Sequence, residues 1–115
     1  MKLSQALILA IDTETTGTNV HEDRIVELGG AYLQGGKEVG PRLRALVNPE
    51  RYIPAGASAV HGIRDQDVEN APTWSTVAER FQQHVQPPIV VTGYNILGFD
   101  APIIDAENRR CNVSW

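Results

Sequence analysis

The chain has 115 residues, 42% of them apolar, and 14 Asp and Glu against 10 Lys and Arg give it a net charge of −4. That length fits one domain with a modest core, and the acidic balance excludes binding of nucleic acid through a broad basic surface. The lone Cys111 excludes an internal disulfide and a cysteine zinc site. No apolar run is long enough to span a membrane. The N-terminal apolar stretch runs into Asp12 rather than a small-residue cleavage site, so the expected location is the cytoplasm.

The first element is Leu7 to Gly17, LILAIDTETTG. An unbroken apolar run bounded by a turn signal predicts a buried strand. Side chains alternate along a strand, so Asp12 and Glu14 share a face, with Cα atoms about 6.6 Å apart. Two carboxylates beside a buried run repel each other and are costly to desolvate. A divalent cation between them relieves both costs. The competing reading is a solvated strand end. Gly17 is expected to let the chain turn close to whatever the carboxylates hold.

After a polar turn, Arg24 to Leu33 predicts a second strand, in which Gly29 and Gly30 signal a bulge or a close backbone neighbour. Gln34 to Gly36 reads as a turn, and Leu43 to Val47 as a third strand ended by Asn48-Pro49. Short turns between three strands predict an antiparallel meander. Arg51 to Ile63 reads as a loop or short irregular helix, and Asp65 to Asn70 as a polar, acidic stretch. Trp74, Val77, Ala78, Phe81 and Val85 recur at helical spacing after Thr73, a candidate N-cap, and Pro87-Pro88 stops that helix. Trp74 and Phe81 are expected in the core rather than stacked on a ligand. Ile89 to Thr92 predicts a fourth, buried strand, reached by a parallel crossover. A last helix spans about Phe99 to Arg110, with Pro102 in its first turn.

Asp100 sits where the fourth strand feeds this helix, and ligands of open α/β sheets collect at the carboxyl ends of strands. If that strand lies parallel to the first, Asp100 comes up beside Asp12 and Glu14, and three carboxylates form an oxygen-rich pocket. Such a donor set suits Mg²⁺ or Mn²⁺ rather than zinc. Asp105 and Glu107 are read as a solvated helix face, and His21 and His84 as surface residues. Arg109 and Arg110 suit either a phosphate or the helix C-terminus.

IDTETTG, RIVELGG, VHGI and GYNILGFDAPI, in this order, resemble the DEDD (DnaQ-like) 3′–5′ exonuclease superfamily. Asp12 and Glu14 match its first motif; Asp100, with Asn95 and Phe99, matches its second. Three residues between Asn95 and Phe99 resemble the exonuclease I branch more than the shorter spacing of polymerase proofreading subunits. The resemblance implies a ribonuclease H-like α/β fold, with three antiparallel strands and a fourth parallel to the first. It implies hydrolysis of nucleic acid, single-stranded DNA foremost, from a free 3′ end by two metal ions. Asp12, Glu14 and Asp100 would hold the ions. Thr15, Thr16 and Gly17, with His61, Gly62 and Ile63, would frame the terminal nucleotide, and His61 would not be the catalytic base.

The family pattern continues with a third motif, a His or Tyr base followed by a fourth Asp, and no such motif follows Asp100. The expectation is therefore the N-terminal portion of an exonuclease domain, residues 1–115. Such a portion would have an uncovered sheet face open to association, weak metal binding and little nuclease activity alone. A non-catalytic module that binds nucleic acid or a partner on the same fold is the alternative. A third reading makes the acidic residues incidental.

Overall fold

The computed structural model describes residues 6–84, 89–93 and 95–113. Its frame is a four-stranded sheet in the order β3-β2-β1-β4, from β1 (Leu7–Thr15), β2 (Ile25–Gln34), β3 (Lys37–Leu46) and β4 (Ile89–Thr92). β1 pairs antiparallel with β2, β2 antiparallel with β3, and β4 runs parallel to β1. This is the arrangement of strands the sequence led us to expect.

The third strand is longer than expected. It begins at Lys37, directly after a two-residue turn at Gly35 and Gly36, both with positive φ, the geometry that matches the twist of paired strands. Gly40-Pro41 reads locally as a break, but β3 lies at the sheet edge, where a missing N–H is tolerated. The ladder also shifts register between Gly30 and Tyr32, in line with the bulge signalled by the paired glycines.

Short helices α1 (Ala55–His61) and α2 (Asp65–Val68) follow, then α3 (Trp74–His84) and α4 (Ala101–Cys111). α1 lies in the stretch read as a loop or short irregular helix, and α2 in the stretch read as polar and acidic. Val85 and the stop at Pro87-Pro88 lie outside the described residues, as do the side chain of His84 and the residue Tyr94. A π-helical turn, Ile96–Asp100, leads into α4, and Pro102 sits in the first turn as expected.

The main core lies between the sheet and helices α3 and α4. Leu9 and Ile11 of β1 meet Trp74, Val77 and Ala78 of α3 and Ile103 and Ile104 of α4. Trp74 is buried and its indole N–H donates to Asn108 Oδ1 at 2.7 Å, so it is a core residue; Phe81 packs against the same cluster. A smaller cluster joins Val26, Ile53, Ile63 and Val68 under the α1–α2 segment. Within β4, expected as a buried strand, the side chain of Val91 is 43% exposed.

Glu107 also departs from the expected solvated face. Its side chain is fully buried, whereas Asp105 is exposed and pairs with Arg109. The Glu107 carboxylate accepts from Arg24 Nε, from Arg110 Nη1 at 2.7 Å and from the Ile25 backbone N–H at 3.3 Å. It therefore ties α4 to the start of β2. The two arginines stay partly hydrated, at 20% and 29% side-chain exposure, which softens the cost of removing their partner. Replacing Glu107 with Ala should destabilise the fold by about 3 kcal/mol, the low end for a broken buried pair, and Glu107→Gln should cost less, since it keeps an acceptor for Ile25. Urea unfolding checks this; equal stability of wild type and Glu107→Ala would refute it.

Candidate active site

The acid pair stands at the carboxyl end of β1. Alternation puts Leu9, Ile11 and Thr13 toward the helices, all buried, and turns Asp12 and Glu14 to the other side, exposed and half-buried. In register, Asp12 lies opposite Gly29 and Glu14 opposite Glu27. Glu14 and Glu27 are thus like charges directly across the ladder, a destabilising pair, eased by an ion pair from Arg44 to Glu27 at 2.5 Å.

The parallel β1–β4 ladder runs from Leu7↔Ile89 to Ala10↔Thr92 and stops there. Gly93 then passes so close to β1 that a Cβ would sit 2.6 Å from the Ile11 carbonyl oxygen. Only glycine allows that approach, and it brings the π turn back against β1. Asp100 closes the turn: its N–H donates to the Asn95 carbonyl at 3.2 Å, as does that of Phe99 at 2.9 Å. The Asp100 side chain is 4% exposed and accepts a 2.5 Å hydrogen bond from the Thr13 hydroxyl.

Burial first, then the charge of Asp100, raises the Asp12 carboxyl above its ordinary value. Burial and then Asp12 raise Glu14; His61 opposes the rise, and Glu27 and Asp100 add to it. The three predicted carboxylates thus form one electrostatic group. They do not form a ready cage. Asp100 meets β1 at Thr13, whose side chain alternates away from Asp12 and Glu14, and among the described residues no three Asp, Glu, His or Cys side chains are gathered closely enough to hold an ion as they stand. The donor chemistry nevertheless fits a hard divalent cation. All three are carboxylates, and their mutual repulsion is what such an ion relieves.

The remaining predicted residues hold the frame of the site. Thr15 Oγ1 donates to the Gly17 carbonyl at 2.6 Å. Thr16 is buried; its hydroxyl donates to Asp23 Oδ1 at 2.8 Å and accepts from the Arg24 N–H at 3.0 Å. A Cβ on Gly17 would fall 2.5 Å from the same Asp23 carboxylate, so the glycine makes room for Asp23. His61 is a strut between two segments: Nδ1 accepts from the Ile63 N–H and Nε2 reaches the Thr15 carbonyl, each at 3.0 Å. Since Ile63 N–H can only donate, the Nε2 proton faces Thr15. Gly62 ends α1 in the left-handed conformation, and Ile63 enters the smaller core cluster. Asn95 is exposed, and Phe99 packs on the main core. Sequence reasoning missed Thr13, Asp23 and Glu27. Only Thr13 carried a signal, as a polar residue on the buried face of an apolar strand.

The exonuclease (RNase_T) family model matches residues 9–114, and the chain belongs to that family. The DNA polymerase III subunit epsilon of Treponema pallidum is 31% identical over 102 residues, 89% of this chain and 46% of its own length. The Escherichia coli epsilon subunit is 29% identical over 104 residues, 86% of this chain and 42% of its own. Escherichia coli exonuclease I, solved in complex with a dT13 oligonucleotide, shares the fold with a TM-score of 0.81. That match covers 92% of this chain and 24% of exonuclease I at 22% identity. The fold is thus the ribonuclease H-like mixed sheet of exonucleases, and the chain spans less than half the length of each of these proteins.

Raised carboxyl pKa values mean that the folded chain holds protons more tightly than the unfolded one. The stability from this source is full below the ordinary carboxylate range and is lost as pH rises through the raised values. Asp12→Asn should therefore raise the melting temperature at pH 7. The gain should vanish near pH 3, roughly below the ordinary Asp value. Thermal melts across pH test it; a lower melting temperature for the variant at pH 7 would count against the repulsion described here.

Proposed function

We propose that the chain is the N-terminal portion of a 3′–5′ exonuclease domain that hydrolyses nucleic acid from a free 3′ end, with single-stranded DNA as substrate and Mg²⁺ or Mn²⁺ as cofactor. One observation carries the reading: within a member of the exonuclease family, Asp12 and Glu14 share one face at the open end of β1, and Asp100 is bonded to Thr13, the residue between them. Asp12, Glu14 and Asp100 would be the residues that hold two ions. Bound divalent ions supply Lewis acidity toward the phosphate and a more acidic attacking water.

In this reading the chain's own residues bind and orient. The contact between His61 and Thr15 abuts the Thr15–Gly17 turn and the His61–Ile63 segment, so the two can frame the terminal nucleotide through their backbone. Asn95 holds the π turn that delivers Asp100, and Phe99 anchors it in the core. Residues 101–115 contain no His or Tyr, so they offer no base of the expected kind to take the proton of the attacking water. Slow cleavage and weak metal binding follow for the chain by itself. A cytoplasmic location agrees with a DNA substrate, and no described helix is long and apolar enough to cross a membrane.

A second reading, a binding module without catalysis, draws on a groove of about 720 Å³ beside β4, lined among others by Ile11, Phe81, Val91, Ile96, Ile104 and Val113. Association through this uncovered face is the partner interaction it suggests. Calorimetric Mn²⁺ titration separates the readings. The first expects saturable binding that Asp12→Ala abolishes and that Glu14→Ala and Asp100→Ala weaken. Mn²⁺ binding indifferent to all three substitutions would sink it, and rapid trimming of single-stranded DNA by the 115-residue chain would contradict the missing base.

A further inference from the structure

We propose that Thr13 is a positioning residue for the metal site, acting through Asp100 and resting on the metal-dependent reading above. Three observations support it. Thr13 is buried at 7% exposure and continues the core face of β1 after Leu9 and Ile11, where an apolar side chain would pack as well. Its hydroxyl is spent on a buried 2.5 Å bond to Asp100 Oδ1, across 87 positions of sequence. Asp100 is the one carboxylate of the three that β1 does not itself carry; it arrives on the π turn before α4.

A strand fixes Asp12 and Glu14 relative to each other through the backbone. Asp100 has no such constraint, and a carboxylate ending a π turn can rotate about its own χ angles. The Thr13 bond removes that freedom by holding Oδ1, from the core side, at the β1 residue between Asp12 and Glu14, which fixes how Asp100 approaches their end of the strand. A β-branched residue suits this task, because χ1 of Thr is itself restricted and so aims the hydroxyl. Hydrogen-bond partners of metal-binding carboxylates tune affinity by orienting them, and Thr13 has the position and the chemistry of such a partner.

The test is the Mn²⁺ affinity of the folded chain, read by calorimetry or by the spin signal of free Mn²⁺, together with its melting temperature. Thr13→Val keeps shape and strand preference and deletes only the hydroxyl. It should weaken Mn²⁺ binding by about 10-fold or more, as outer partners of ligands do, while Thr13→Ser should bind like wild type. In an Asp100→Ala background, Thr13→Val should change the affinity no further, because its partner is gone. Should the Val variant fail to fold, the Ser and Ala variants at position 13 differ chiefly by the hydroxyl and decide the matter. Equal Mn²⁺ affinity with and without the hydroxyl, or tighter binding without it, overturns the proposal while leaving the exonuclease reading intact. Absence of Mn²⁺ binding in wild type overturns both.

Discussion

The parallel pairing of β4 with β1 is the contact on which the site depends. It spans Leu7↔Ile89 to Ala10↔Thr92 and then breaks off. Had it continued, β4 would have covered the edge of β1 beside Asp12 and Glu14, and no later residue could have reached them. Because it stops, the next segment folds back across the uncovered edge through Gly93 and docks Asp100 on Thr13. The short ladder thus sets both the direction from which the third carboxylate arrives and the strand residue that receives it.

Helix α4 has to hold that delivery in place, and it does so at two ends by different means. Near Asp100, Ile103 and Ile104 enter the main core, a non-directional attachment that fixes depth. Near its other end, Glu107 and Asn108 make directional contacts, with Arg24 and Ile25 at the start of β2 and with the indole of Trp74. A buried carboxylate is a poor way to gain stability, but bonded to an arginine and a backbone N–H it selects one rotation of the helix. Apolar packing and a polar register pin therefore divide the work.

Legibility from sequence followed the range of the interactions. The antiparallel meander, the parallel return and the placement of Asp12 and Glu14 on one face of β1 are written in short-range patterns, and the strand pairing followed them. The start of β3 was not legible, because Gly40-Pro41 looks like a break until the strand is known to lie at an edge. Glu107 looked like a solvated residue because its neighbours in sequence are polar; Arg24, its partner, lies 83 positions away. Gly17 was read as clearance for a ligand, whereas the group it clears is the carboxylate of Asp23. Residues matching the family motifs were named from the resemblance, but the hydroxyl that meets Asp100 could be found only once strand and helix were placed together.

The π turn at Ile96–Asp100 stores one more residue than an α-helical turn would need. Each helical residue turns the chain by roughly 100°, so a regular helix of the same length would aim the aspartate at a different neighbour. A local underwinding absorbs that surplus before α4 begins and leaves the helix axis where the core requires it. Removing one residue from this turn would therefore swing Asp100 off Thr13 or shift α4 against the core.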